Sequence, residues 1–441
     1  MLADSILHHA YNTLSHLALP AVLARLAVKG WKSPQYFQRL GERLGFAPGQ
    51  GQGGIWIHAV SVGEVQAVSA LVQALLQNHP GQEILLTTTT PTGSRLVQDK
   101  YKQRVRHCYL PYDLPWAVKG FLSRHQPDLA LFMETEIWPN IFLQCQRANI
   151  PLLLINARLS NRSFQGYRKI RPLMQASLNR CWHILAQSQA DAARIRALGA
   201  DPGKVLVSGN LKFDMQAPPA QVNAGQRLRS ELWPQRPVWI AASTHKGEEE
   251  QILRAHAKIM QDLPQALLII APRHSQRFDQ VWELCQSQGF NACRRSQAEP
   301  EQARQSSVYL ADSLGELLML YSAADAAFVG GSLVPAGGHN LLEPASLGVP
   351  VLSGPYLHNF QEISSLLQEQ EALILVQDAQ ALAQEITHMF LDYTSRQDAG
   401  HRARQVLAAN QGALHFTLQQ ISDLIPQNNQ SRAVRNNYVQ N

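Results

Sequence analysis

Residues Phe328–Pro355 read F-V-G-G-S-L-V-P-A-G-G-H-N-L-L-E-P-A-S-L-G-V-P-V-L-S-G-P. An apolar run is followed by a glycine-rich loop, a short helical stretch and a second apolar run. Gly337 and Gly338 let the backbone approach a bound group. A helix starting near Asn340 would aim unpaired amides at an anion. Glu343, in its first turn, is placed to accept hydrogen bonds from hydroxyls such as those of a ribose. The stretch is not a Walker loop, because no G-K-[ST] follows. Nor is it the dinucleotide G-x-G-x-x-G, which belongs after the first strand of its domain.

The same strand, turn and helix rhythm extends outward from this stretch. Around it lie apolar runs at Val238–Ala242, Ala266–Ile270, Val308–Leu310, Ala326–Val329, Val349–Leu352 and Leu373–Val376. Upstream the runs are Ile55–Val60, Ile84–Thr89, Leu129–Met133, Leu152–Asn156, His183–Ala186 and Val205–Ser208. Continuous apolar runs separated by amphipathic stretches such as Val65–Gln77 and Gly93–Tyr101 specify parallel strands covered on both faces. The prolines of Ala217–Ala220 interrupt the rhythm and predict a linker. The expected organisation is a helical segment at 1–46, an α/β domain at 47–216, a linker at 217–236 and a second α/β domain at 237–426. The last helices of that second domain are allowed to pack back on the first. Residues 427–441, rich in Asn, Gln and Arg, read as a disordered tail.

Composition narrows the function. The chain has 441 residues, 45% of them apolar and 16% charged, which is globular rather than disordered. Its five cysteines form no C-x-x-C pair and no Cys/His cluster, which argues against a disulfide framework and a structural zinc site. The net charge of +6 suits an anionic ligand or an anionic membrane surface. Nucleic acid fits least, because Lys/Arg runs are absent.

In open parallel sheets ligands sit outside the carboxyl ends of the strands, so the residues after each run are the site candidates. Two such sheets facing each other would form a deep cleft. Glu64 follows the first run in S-V-G-E. It is either a capping carboxylate beside a capping Ser61 or an exposed general base. Glu134 and Glu136 follow the run Leu129–Met133. In an extended chain they would face the same way, with Arg158 and Arg162 as candidate partners. Lys212 follows Val205–Ser208 beside Asn210 and Asp214. In the second half, S-T-H-K-G-E-E-E follows the first run, and A-P-R-H, with Pro272 and Arg273, follows the next. Arg273 suits a phosphate or carboxylate. In A-D-S-L-G-E-L, Asp312 or Ser313 is expected to cap a helix, leaving the amides near Gly315 and Glu316 open. For each of these loops an ordinary solvated turn is the competing reading.

Taken together, W-I-H-A-V-S-V-G-E, M-E-T-E-I-W-P-N, N-A-R-L-S-N-R-S, G-N-L-K-F-D, A-P-R-H and G-G-H-N-L-L-E-P resemble the Kdo transferases (Kdo is 3-deoxy-D-manno-oct-2-ulosonic acid). These are glycosyltransferases of the GT-B fold. The match runs in order from about Trp56 to Pro355. The resemblance implies two Rossmann-like domains facing across a cleft. It also implies transfer of Kdo from CMP-Kdo to the lipid A precursor, with inversion and without a metal or other cofactor, at the cytoplasmic side of a Gram-negative inner membrane. Carried over by motif, Glu64 would be the general base, and Glu134 and Lys212 would support the transition state. Pro272, Arg273, Leu314, Gly315, Glu316, Asn340, Leu341, Leu342 and Glu343 would hold CMP, with Gly337 and Gly338 in the loop before them. Another GT-B enzyme acting on a UDP-sugar is the alternative, and a catalytically inactive binding scaffold is a third reading.

The first 46 residues bear on the membrane. Between Ile6 and Val28 the chain is apolar but interrupted by His8, His9, Asn12, His16, Pro20 and Arg25. Five basic residues (Arg25, Lys29, Lys32, Arg39, Arg43) stand against two acidic ones (Asp4, Glu42) up to Phe46. That pattern fits a helix lying on a membrane surface or a helix pair packed on the body of the protein. It fits a membrane-spanning helix poorly.

Overall fold

The computed structural model describes residues 2–47 and 53–425. The chain divides into two compact units, Met1–Asp214 with Gln411–Asn441, and Met215–Asn410. The expected tail at 427–441 lies outside the described residues.

The first unit carries β1 (Ile55–His58), β2 (Ile84–Thr88), β3 (Arg106–Tyr109), β4 (Leu129–Met133), β5 (Leu152–Ala157), β6 (Ile184–Ala186) and β7 (Val205–Val207). All neighbours are parallel, in the order β3-β2-β1-β4-β5-β6-β7. The second unit repeats the plan with β8 (Val238–Thr244), β9 (Leu267–Pro272), β10 (Ala292–Arg294), β11 (Val308–Leu310), β12 (Ala326–Val329), β13 (Val351–Ser353) and β14 (Leu373–Leu375). Their order is β10-β11-β9-β8-β12-β13-β14, again parallel throughout. Both are Rossmann-like sheets with helices on the two faces.

The apolar runs locate every strand except β3 and β10. Each of these is the first strand at an edge of its sheet. An edge strand is open on one side, so Arg106, His107 and Arg294 are tolerated there and the continuous apolar signal is lost. The central strands β1, β4 and β8 are buried almost throughout. Aromatic pairs fill the first core, with Trp56 4.7 Å from Phe121 and 4.9 Å from Phe132. The Trp56 indole N–H donates to Thr87 Oγ1 at 2.9 Å, so burying it leaves no unpaired donor.

One segment differs from its expected form, and a second takes the return path the sequence allowed. The stretch expected as a linker holds a helix, Pro219–Leu232, packed in the second unit. Pro219 occupies the first helical turn, where a missing N–H costs nothing, so the prolines start a helix rather than break the pattern. Gly225 is required there, because a Cβ would lie 1.9 Å from Ser322 Oγ and 2.0 Å from the Met319 carbonyl oxygen. At the other end, the helix Ala413–Ser422 adds Ala413 and Ile421 to the core of the first unit beside Leu71 and Leu75. The Asp214 carboxylate accepts the Gly412 and Leu414 amides at 2.8 and 2.9 Å and fixes that return.

The N-terminal segment forms one long helix, Leu2–Lys32, with Pro20 inside it. Short turns follow at Pro34–Phe37 and Leu40–Arg43. The long helix is tied down at its first half. His8 is buried, and the Tyr11 hydroxyl donates to Asp113 Oδ2 at 2.8 Å. Asp113 also accepts the amides of Asn140 and Ile141 at 2.9 and 2.8 Å, capping the helix Pro139–Arg147. Farther along, Leu14, Leu17, Val28 and Trp31 are exposed. Among the described residues no helix is long and apolar enough to cross a membrane.

Because one buried carboxylate serves two helices, Asp113→Ala should cost about 2–4 kcal/mol. Tyr11→Phe should cost only about 1 kcal/mol. Thermal melting of both variants checks the order, and equal melting temperatures would contradict it.

Candidate active site

The carboxyl edge of the first sheet gathers four charged side chains. The chain leaves β1 through Ala59 and Val60 and enters the helix Val62–Ala67 at Ser61. Ser61 makes no side-chain cap. Glu64 turns back instead to the strand end, its Oε2 accepting the amide of Val60, just before the N-cap, at 2.7 Å. Its other oxygen accepts no hydrogen bond from the described residues. One carboxylate therefore pins the backbone before the helix and presents a free oxygen. Burial and then the negative charge of Glu134, with a smaller push from Glu136, raise its pKa to about 8. The Val60 amide and Lys212 pull the other way.

Glu134 and Glu136 take different partners. Glu134 lies in the left-handed region (φ 53°), so the chain turns as soon as β4 ends rather than running on extended. Glu134 Oε1 lies 3.5 Å from Lys212 Nζ. Glu136 Oε2 accepts the Trp138 indole N–H at 2.9 Å and stands 3.6 Å from His58 Nε2. Lys212 is thus a cation against Glu134 that the sequence left unpaired. Arg158 lends its carbonyl to Thr135 Oγ1 at 2.5 Å, and Arg162 is exposed on the helix Asn161–Arg168.

Lys212 is positioned by buried amides that the sequence reading passed over. Asn156, at φ 51°, accepts the Leu211 amide at 2.9 Å, and its carbonyl accepts from Gln187 at 2.9 Å. Gln187 in turn accepts from Asn210 at 3.1 Å, and Asn210 accepts the Lys212 amide at 3.0 Å. Asn156 and Gln187 each sit just beyond or within an apolar strand, where a polar residue was the available signal.

In the second unit the glycine-rich loop is organised around a residue that the sequence left among an acidic helix start. Glu248 is fully buried. Its carboxylate accepts the amides of His245, Gly331, Ser332 and Leu333 at 2.7–2.8 Å. A buried anion with this many donors fixes the loop. Neighbouring Glu249, also buried, is held by Arg277 at 2.5 Å and by Thr244 at 3.0 Å.

The expected donor residues are distributed as follows. Pro272 is buried at the end of β9, and the Arg273 side chain is exposed while its amide donates to the Thr244 carbonyl at 3.0 Å. Leu314 is exposed and Gly315 adopts φ 83°. Asp312 and Ser313 do not cap the helix Leu317–Ser322, which carries no side-chain cap. Asp312 is drawn instead to Arg294 at 2.8 Å and to Ser296. Ser313 donates to Glu316, which forms a two-point pair with Arg295 at 2.6 Å on each oxygen. That pairing lowers the Glu316 pKa.

The helix after the glycine loop is short, Leu342–Ser346, and its first amides are not all free. Asn340 Oδ1 accepts the Leu342 amide at 3.1 Å, and Asn340 Nδ2 donates to Glu343 Oε1 at 3.2 Å. Burial pushes the Glu343 pKa up, opposed by Asn340 and Arg273. Leu341 and Leu342 are buried. Gly337 and Gly338 have φ of 103° and 76°. The room a Cβ would need there is taken by Asn359 and Leu357, so the two glycines also serve packing of the loop. Among the described residues no group of three or more His, Cys, Asp or Glu side chains is arranged to hold a metal ion.

Two Rossmann-like units, the first with a free carboxylate beside a Glu–Lys pair and the second with a glycine loop beside an exposed arginine, define the GT-B class. The solved UDP-GlcNAc 2-epimerase of Neisseria meningitidis, bound to UDP-GlcNAc, shares the fold. Its TM-score is 0.57 at 13% identity, over 84% of this chain and 99% of that one. Residues 38–215 match the family model described as 3-deoxy-D-manno-octulosonic-acid transferase (kdotransferase). The 3-deoxy-D-manno-octulosonic acid transferase of Haemophilus influenzae is 40% identical over 95% of this chain and 99% of its own length. That of Bordetella pertussis is 34% identical over 91% and 94%. The chain belongs to the 3-deoxy-D-manno-octulosonic acid transferase family and is a glycosyltransferase.

The raised pKa of Glu64 carries a stability signature. The folded first unit holds the Glu64 proton more tightly than the unfolded chain does. Stability from this group is therefore full below pH 4.5 and is lost as pH rises through about 8. Glu64→Gln removes that loss, so its melting temperature relative to wild type should rise from pH 5 to pH 9. A constant difference across that range would place the Glu64 pKa at its ordinary value.

Proposed function

We propose that this protein transfers Kdo from CMP-Kdo to the lipid A precursor (lipid IVA), with inversion and without a metal, as a step of lipopolysaccharide inner-core assembly. The observation that carries the reading is Glu64, half-buried with one oxygen free and its pKa raised to about 8, in a cluster that also holds the Glu134–Lys212 pair. The names of the relatives support the choice of Kdo as the sugar.

The work divides between the units. In the first, the Glu64 carboxylate takes the proton of the acceptor hydroxyl as its oxygen attacks the anomeric carbon of Kdo. The bond from that carbon to the phosphate oxygen breaks, and CMP leaves with the bonding electrons. A sugar hydroxyl is a poor nucleophile unless its proton is removed during attack, and a base with a pKa near the working pH does this best. The Lys212 ammonium, held by Glu134, offsets negative charge that grows in the transition state. A preorganised contact of this kind is worth on the order of 10²–10³ in rate. In the second unit, Pro272, Arg273, the open amides near Gly315 and the Asn340–Glu343 turn hold CMP.

The acceptor resides in a membrane, and the long N-terminal helix supplies a surface for it. Leu14, Leu17, Val28 and Trp31 are exposed along the helix that also carries Arg25 and Lys29. Apolar side chains entering the headgroup region, together with basic ones at its surface, hold a helix on an anionic leaflet. We assign this protein to the cytoplasmic face of the inner membrane on that basis.

CMP release from CMP-Kdo generated in situ, with and without tetraacyl lipid A precursor, tests the reaction, and mass spectrometry of the lipid counts the Kdo units added. No release from folded enzyme would redirect the assignment to UDP-sugars. Glu64→Ala should abolish transfer while CMP binding stays nearly intact. The wild-type kcat/KM should climb about tenfold per pH unit below pH 8 and level off above it, because the carboxylate is the active form. Wild-type turnover in Glu64→Ala would remove Glu64 as the base. The full chain should bind anionic vesicles less tightly as salt rises. The combined variant Leu14→Ser, Leu17→Ser, Trp31→Ser should bind them weakly at any salt. Undiminished binding by that variant would detach the helix from membrane contact.

A further inference from the structure

Three histidines outside the assignment above meet at the carboxyl edge of the second sheet. His245 follows β8, His274 follows β9, and His339 lies in the glycine-rich loop after β12. The strand order puts β8 between β9 and β12, where the connections diverge to either side of β8. Ligands of open parallel sheets bind at such a switch point.

The His245 and His339 rings lie nearly parallel, with centroids 5.1 Å apart and a 13° angle between planes. Their Nε2 atoms are 2.8 Å apart. Two ring nitrogens this close require one to donate and the other to accept, so they share a single Nε2–H, and the lowered pKa values of both rings keep the pair neutral. Burial first, and then the neighbouring Arg273, hold the His339 pKa down to about 3, and burial lowers His245 likewise. His274 stands edge-on to His245 at 5.3 Å. Neither Nδ1 of the pair has a hydrogen-bond partner among the described residues. Both rings are half-buried, so a ligand can reach them.

The backbone is shaped around the pair. Gly331 has φ 70°, and a Cβ on it would lie 2.9 Å from His339 Cδ2 and 3.4 Å from His245 Cδ2. The amide of the same glycine is held by Glu248, which also holds the His245 amide. One buried carboxylate thus fixes the backbone beneath both the loop and the first ring, and its own charge is already met by four amides. The open charge near the rings is the exposed guanidinium group of Arg273, while Arg277 is paired with Glu249.

We propose that the His245–His339 pair is an anion contact of the donor site, binding a phosphate or carboxylate oxygen of the nucleotide sugar through an Nδ1 edge. The proposal rests on the donor reading given above. In the neutral pair, the ring whose Nε2 accepts carries its proton on Nδ1 and donates it to the anion. The phosphodiester and the sugar carboxylate of a CMP-linked ulosonic acid both offer such an oxygen.

Calorimetric titration of the full-length wild type, His245→Asn and His339→Asn with cytidine and with CMP tests this, together with the KM for CMP-Kdo generated in situ. The expected result is unchanged cytidine affinity with CMP affinity reduced about tenfold or more, which assigns the contact to phosphate. A raised KM for CMP-Kdo with unchanged CMP affinity also supports the anion contact and assigns it to the carboxylate. Equal losses for cytidine and CMP would overturn it and mark the rings as packing groups, as would unchanged values throughout. A wild type that binds neither cytidine nor CMP would overturn the donor reading itself, a result distinct from any produced by the variants.

Discussion

A parallel strand buried on both faces has no place for a charged side chain except at its ends. This constraint shapes both units. β4 and β8 are buried almost residue by residue, and the first acidic or basic groups appear where the strand stops, at Glu134 and shortly after Thr244. Every crossover returns the chain in the same direction, so these groups collect along one edge of each sheet.

The two edges treat charge in opposite ways. The first keeps Glu64, Glu134 and Glu136 near one another with Lys212 as the cation paired to Glu134. The excess negative charge and the burial together are what hold a proton on Glu64 near neutral pH. The second neutralises its acids from within. Glu248 is met by four amides, Glu249 by Arg277, Asp312 by Arg294 and Glu316 by Arg295. Arg273 is left exposed beside three histidines, an edge suited to an anion. The two edges thus present different local electrostatics within one repeated architecture.

Rigidity at these edges comes from carboxylates and amides that bond backbone rather than ligand. Asp113 joins the long N-terminal helix to the start of another helix, and Asp214 ties the chain's return to the first unit. The chain Asn156, Gln187, Asn210 sets the backbone of Lys212. In each the oxygen that accepts the backbone amide is satisfied, and that bond fixes the local conformation, although the buried Asn156 Nδ2 has no partner among the described residues.

The sequence by itself determined the parallel α/β class, twelve of the fourteen strands among the described residues and the strand ends where Glu64, Glu134, Lys212 and Arg273 stand. Apolar runs follow from burial on two faces, and burial is written in composition. It could not mark β3 and β10, whose open edges admit Arg106 and Arg294, nor read Pro219 as the start of a helix rather than a break. Only the tertiary structure decided which acids are buried. Glu248 and Glu250 are alike in sequence, yet one is enclosed by four backbone amides and the other is exposed. The left-handed turn at Glu134, the pairing of Lys212 with that glutamate, and the meeting of His245 with His339 across 94 positions were likewise settled in space. Local pattern reports how much of a residue is covered. Which groups cover it depends on strands that are neighbours in the sheet and distant in the chain.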